Sequence, residues 1–239
     1  MIPKKIYYVW LGGKPLTSNI KANIKSWKEK NPDFQIIRID ETNFDIYRYP
    51  FIEDAYNSKN WAFASDLIRL IIIYNNGGFY FDTDVKMVKS LEPFLQYKSV
   101  WGMETPGFIN SGLVIGAEKN DKHLRNIINI YRHLKFDAND IYNFVTTQII
   151  SDYFIRYGLK ANNHLQILDG YIHVFPSDYF APLHWWGGGH VTKRTVAIQQ
   201  YTKNWGDSNG ISKSGRFCRD LYHYFPKTYI LIKKIKNSL

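Results

Sequence analysis

The stretch from Trp61 to Val85, WAFASDLIRLIIIYNNGGFYFDTDV, limits what this chain can fold into more than any other. Its apolar run from Trp61 to Tyr74 has no Pro or Gly and predicts a buried helix, which Asn75, Asn76, Gly77 and Gly78 bring to a stop. From Phe79 the period changes to two. That predicts a strand with Phe79, Phe81, Thr83 and Val85 on one face and Tyr80, Asp82, Asp84 and Lys86 on the other. A helix feeding a glycine turn and then a strand that ends in acids points to an α/β fold with its chemistry at the strand end.

Two carboxylates about 7 Å apart, at roughly 3.3 Å of rise per residue, raise each other's cost of ionisation unless a cation relieves them. Oxygen ligands of this kind suit Mg²⁺ or Mn²⁺, which keep several waters and share substrate phosphates, so a nucleotide-linked substrate is the natural partner. An isolated Asp-x-Asp would more often be a solvated strand end. The preceding helix adds a second signal, because Asp66 and Arg69 are its only charges and lie three residues apart on one face. Charges among so many isoleucines and leucines must be paired or face a polar cavity.

Ala64-Ser65-Asp66, Arg69, Tyr74, Gly77-Gly78, Tyr80, Asp82 and Asp84 together resemble the signature of the DXD-type sugar transferases of family 32. That family includes bacterial capsule and lipo-oligosaccharide enzymes and fungal mannosyltransferases, and is related to the catalytic domains of clostridial glucosylating toxins. The resemblance implies a GT-A type, Rossmann-like α/β domain with a mostly parallel central sheet. It also implies a Mn²⁺- or Mg²⁺-dependent enzyme that moves a hexose, with retention, from a UDP-sugar, with UDP-galactose or UDP-glucose favoured. The acceptor would be a bacterial surface glycan or lipid-linked oligosaccharide.

The site residues that the resemblance assigns are Asp82 and Asp84 for the metal, and Ser65, Asp66, Arg69 and Tyr80 around the donor. Trp10, at the end of an N-terminal strand Lys5–Leu11, would stack on uracil, and Asn110 in Asn110-Ser111-Gly112 would border the donor sugar. Thr146, Thr147 and Gln148 would lie near the acceptor. Late in the chain the family carries Ala-Ile-His-His-Trp, two variable residues, then Ser-Trp. Here the segment reads Ala197 to Trp205 with Gln199 and Gln200 in place of the histidines. Trp205 would donate to a donor phosphate, and an amide oxygen of Gln199 or Asn204 would replace the histidine at the metal.

The remaining pattern fits one α/β domain over 1–215 and a basic, aromatic helical segment over 216–239. Ser18 is a candidate cap for a helix to Lys30, followed by a strand Phe34–Ile39, so strand, helix and strand suggest a parallel crossover without the dinucleotide glycine fingerprint. Residues 41–56 are ambiguous. Further strands are expected at Val100–Met103, Leu113–Ala117, Leu165–Leu168, Ile172–Phe175 and from Val196, and helices at His123–Leu134 and Ile141–Tyr157.

One cysteine, Cys218, excludes an internal disulfide framework. The start lacks a signal-like apolar core, which predicts a cytoplasmic protein. Its C-terminal lysines and aromatics suit peripheral contact with the inner face of the bacterial plasma membrane.

The net charge of +10 also suits nucleic acid, but the lysines are spread along the chain rather than clustered beside aromatics, so no nucleic-acid partner is expected. A haloacid-type aspartate phosphatase also uses Asp-x-Asp, yet it calls for Thr or Val where Lys86 stands. His184 and His190 flank a glycine run, but their spacing matches no zinc pattern.

Overall fold

The computed structural model describes residues 1–202 and 212–237. Strand β1 (Lys5–Val9) buries Ile6, Tyr7, Tyr8 and Val9. Helix α1 (Ser18–Lys30) is capped by Thr17, whose hydroxyl accepts from the Ile20 amide at 3.4 Å; Ser18, the expected cap, is the first helical residue instead. Strand β2 (Gln35–Ile39) then returns parallel to β1, completing the crossover. The ambiguous stretch becomes a 3-10 turn at Ile46–Arg48 and helix α2 (Pro50–Asn57), with Pro50 at a first helical position where its missing N–H costs nothing.

Helix α3 (Trp61–Asn76) is buried from Phe63 to Ile73 and ends where the Gly77 amide donates to Ile73 O at 2.8 Å. Gly77 and Gly78 take φ of +65° and +110°, which a side chain would resist, and the chain reverses straight into β3 (Gly78–Tyr80). Next come β4 (Val85–Met87), β5 (Ser99–Thr105), β6 (Phe108–Ile109), β7 (Ile115–Ala117) and α4 (Lys122–Arg132). The helix expected over 141–157 divides into a 3-10 turn (Ile141–Phe144) and α5 (Thr146–Ile155), because Val145 between them is extended (φ −63°, ψ 109°). Tertiary packing imposes that break: Phe144 joins Phe51 and Phe136 in an aromatic cluster, while the Thr146 hydroxyl accepts from Tyr131. The chain ends with β8 (Gln166–Leu168), β9 (Ile172–Phe175), β10 (Ala197–Gln199), α6 (Lys213–Tyr224) and α7 (Pro226–Asn237).

The main sheet has the order β2-β1-β3-β7-β5-β9-β8, with β6 beside β5. β2, β1 and β3 are mutually parallel, and β5 and β9 run the same way because both β3 and β5 oppose β7. The sheet is thus mostly parallel, with β6, β7 and β8 reversed. Two apolar cores flank it, one built on α2 to α5 and the other on Trp27 of α1 with Phe79, Phe81, Val85 and Phe180. Among the described residues no helix is long and apolar enough to cross a membrane.

The strand expected to carry both acids stops at Tyr80. Beyond it the Asp82 amide donates to Gly112 O at 2.9 Å and the Val85 amide to Asp82 O at 3.1 Å, so Asp82 and Asp84 lie in a turn. β4 then leaves the main sheet and pairs antiparallel with β10.

Candidate active site

β2, β1 and β3 are in register, Tyr7 facing Ile37 on one side and Tyr80 on the other, so the residues just past their carboxyl ends converge at one edge. Trp10 and Asp82 both leave the sheet there, in the position where open α/β sheets take ligands. Trp10 is half-buried and its Nε1 donates to Lys14 O at 2.6 Å, which fixes the indole against its own loop.

Arg69 joins the helix to the turn. Its Nη2 lies 3.0 Å from Asp66 Oδ1 and 3.1 Å from Asp82 Oδ1, and donates to Ser65 Oγ at 2.9 Å. Nη1 donates to Ser111 Oγ at 3.2 Å, Nε to Ser65 O at 3.2 Å, and the guanidinium lies 4.8 Å from the Tyr80 ring centre. Tyr80 in turn donates its phenol to Asp82 Oδ1 at 2.8 Å. Ser65, Asp66, Arg69, Tyr80 and Asp82 are therefore one network reaching across the glycine turn, not two separate groups.

Burial works against the Arg69 charge, but Asp82, Tyr80 and Asp66 outweigh it and hold the guanidinium protonated. Burial also pushes the Asp66 carboxyl up to about 7, against the attraction of Arg69 and with the help of Asp82.

Asp84 has a different neighbourhood. Its Oδ1 accepts from Gln199 Nε2 at 3.0 Å and its Oδ2 from the Thr202 amide at 3.2 Å. Burial, then the charge of Asp82, push its carboxyl up to about 6 although both hydrogen bonds oppose the rise. Among the described residues Asp84 has no cationic partner, whereas Asp82 has Arg69. The other amide atom, Gln199 Oε1, is buried with no hydrogen-bond partner.

An under-compensated carboxylate, a second carboxylate close enough to perturb it and an orphaned amide oxygen together fit a hard divalent cation. No group of three His, Cys, Asp or Glu able to hold a metal occurs among the described residues, so a cation here would rest on the two carboxylates, the amide oxygen and oxygens from water or substrate. Asn204 and Trp205, the other late candidates, lie outside the described residues.

Asn110 positions the floor of the site, since its Oδ1 accepts from the Gly112 amide at 2.8 Å. Gly112 itself was not singled out by sequence reasoning. A Cβ there would fall 1.9 Å from Asp82 Oδ2 and 3.2 Å from Arg69 Nη1, so only glycine admits the carboxylate. Glu104, at the end of β5, is a second addition. Burial pushes its carboxyl up while hydrogen bonds from Tyr201 and Asn110 pull it back, and the same Tyr201 phenol feels the charge of Asp84. An acid closing the apolar strand Val100–Met103 was the available signal.

Thr146 lies 3.4 Å from Ser111 across hydroxyl oxygens, which brings the start of α5 to this edge. His184 stacks on Trp186 at 4.5 Å between ring centres and packs against His223.

A mostly parallel sheet with an Asp-x-Asp turn at its carboxyl edge is the frame of a GT-A type glycosyltransferase fold. Residues 17–104 match the family model described as "Glycosyltransferase sugar-binding region containing DXD motif", a match that takes in helix α3, the glycine turn and both Asp82 and Asp84.

It is 28% identical over 131 residues to inositol phosphoceramide mannosyltransferase 3 of Schizosaccharomyces pombe, covering 53% of this chain and 36% of that protein. It is 27% identical over 126 residues to the initiation-specific alpha-1,6-mannosyltransferase of Candida albicans, covering 48% and 32%. The chain thus spans about a third of the length of these relatives. Among solved structures the PaToxG glycosyltransferase matches with a TM-score of 0.50 and 21% identity over 65% of this chain and 68% of that one, a likeness of fold.

Proposed function

We propose that this protein is a metal-dependent, retaining glycosyltransferase that moves a hexose from a UDP-sugar, UDP-galactose or UDP-glucose, to a surface glycan or lipid-linked oligosaccharide. The observation that supports this reading most is the Asp84 environment: a carboxylate raised by burial and by Asp82, with the orphaned oxygen of Gln199 beside it. Asp82, Asp84 and Gln199 would hold Mn²⁺ or Mg²⁺, which when bound neutralises charge on the leaving diphosphate.

The chain's own residues do the rest. Arg69 fixes Asp82 from behind and keeps Asp66 within reach of sugar hydroxyls. Trp10, at the same edge, offers a flat apolar face to a nucleobase. The acceptor hydroxyl oxygen forms the new bond to the anomeric carbon on the face the diphosphate leaves. The hydroxyl proton passes to the departing diphosphate oxygen, so retention needs no nucleophilic side chain.

A phosphatase of the haloacid type fits less well, because its first aspartate must be free to attack and Asp82 is held by Arg69 and Tyr80.

Hydrolysis of a panel of UDP-sugars with Mn²⁺, Mg²⁺ or chelator tests the proposal. One UDP-hexose should be hydrolysed with metal only, and Asp84→Ala should abolish turnover while circular dichroism stays unchanged. Metal-independent turnover, or full turnover in the Asp84 variant, would overturn it.

A further inference from the structure

Near the edge that carries Asp84 lies an open cleft of about 340 Å³ whose lining includes none of Trp10, Asp66, Arg69, Asp82 and Asp84. Its walls come from three places: Glu104 at the end of β5, Thr147 and Gln148 in the first turn of α5, and Trp185, Arg219 and Tyr222 from the 184–190 loop and α6. The cleft adjoins that edge through Glu104, which accepts a hydrogen bond from Tyr201, the residue before Thr202, whose amide donates to Asp84 Oδ2 at 3.2 Å.

Its volume is at the lower end of the roughly 300–1,000 Å³ of ligand pockets, a fit for the end of a saccharide rather than a peptide. Trp185 gives it an aromatic wall and Thr147 and Gln148 give it neutral donors and acceptors. The Arg219 guanidinium sits 4.2 Å from the Trp185 ring centre, exposed, with no carboxylate partner among the described residues. Asp220, its sequence neighbour, is occupied in accepting from Trp186 Nε1 at 2.9 Å. Arg216 lies on the same side of the loop, near Gly187.

A stacked arginine without a counter-ion at the rim of a sugar-sized cleft is arranged to receive an anion in a planar, bidentate way. Glu104, a buried acid that burial makes harder to ionise, suits a hydrogen bond with a hydroxyl and not an anion, so the charged group belongs at the Arg219 end and a hydroxyl at the Glu104 end.

We infer that this cleft is the acceptor subsite and that it selects an anionic saccharide, one carrying a carboxylate or phosphate that pairs with Arg219. The inference rests on the glycosyltransferase reading for the word acceptor, but not for the binding itself. It gives α6 a role in recognition that its basic and aromatic composition did not disclose.

Saturation-transfer and titration experiments with the whole protein test it. The probes are a glucuronate-terminated disaccharide, a hexose phosphate and their neutral counterparts. At least one of the two anionic probes should bind about tenfold more tightly than its neutral counterpart, the size of one charge-assisted hydrogen bond. The carboxylate and phosphate arms separate the two sources of charge. Arg219→Ala should erase the preference, Arg219→Lys should keep part of it, and both should leave metal-dependent UDP-sugar hydrolysis unchanged.

Equal binding of charged and neutral probes, or a preference that survives Arg219→Ala, would overturn the inference. Donor hydrolysis with no saccharide binding would refute the subsite and leave the enzyme reading intact. Anionic binding with no hydrolysis of any UDP-sugar would do the reverse.

Discussion

Gly112 and Asp82 touch so closely that the α-carbon of one leaves room only for the carboxylate of the other, with a Cβ placed 1.9 Å from Oδ2. Because that contact is between backbone and a side chain already pinned by Arg69, the carboxylate must yield. Gly112→Ala should therefore lower metal-dependent donor hydrolysis at least a hundredfold while costing about 1–3 kcal/mol of stability, the usual range for overpacking. Urea unfolding alongside turnover checks both; unchanged turnover would show that Asp82 is not needed where it sits.

The protonation of Asp66 makes a pH prediction. Its folded carboxyl is raised from 3.8 to about 7, so its contribution to stability is present below about pH 4 and is lost as pH rises through 7. Asp66→Asn removes that dependence. The difference in Tm between variant and wild type should shift in the variant's favour from pH 5 to pH 8. A difference that is flat across this window would mean that Asp66 titrates normally.

Helix α3 and its glycine stop were legible because an unbroken apolar run and a pair of glycines are local signals. So were β1, β2 and the crossover. The turn at Asp82 was not: the alternation from Phe79 continues in the sequence, but the Asp82 amide is taken by the carbonyl of Gly112, a partner that no window around Asp82 contains. The network has the same character. Asp66 and Arg69 were readable as a pair on one helix face, whereas the reach of Arg69 to Asp82 and Ser111 depends on β3 and β7 lying side by side. Val145 shows the opposite failure, where a helical pattern runs on but aromatic packing of Phe144 breaks it.

Gln199 gives a third prediction. Gln199→Leu removes both the donor to Asp84 and the orphaned oxygen, so Asp84 should be harder to ionise and the cation should lose a ligand. The Mn²⁺ concentration for half-maximal hydrolysis should rise about tenfold at pH 6.5 and the deficit should narrow at pH 8. An unchanged metal requirement would confine Gln199 to a structural part.

Helix α7 exposes Leu231 and Ile232, at 59% and 50%, beside the basic residue Lys233. If that surface meets lipid, Leu231→Asp with Ile232→Asp should reduce low-salt binding to anionic vesicles at least tenfold without altering the thermal melt. Equal binding by the double variant would remove the membrane from the account.

Because β10 is the only strand beside β4 among the described residues, Asp84 stays without its amide brace until residue 199 has been made and has travelled back across 115 positions of sequence. A nascent chain, or a fragment cleaved ahead of Ala197, would keep β1, β2, β3 and α3 yet hold an unbraced acid at their edge. The acid at this edge would then gain its brace late in synthesis, and loss of the segment from Ala197 onward would take that brace away while the pairing of β1 with β2 and β3 is left intact.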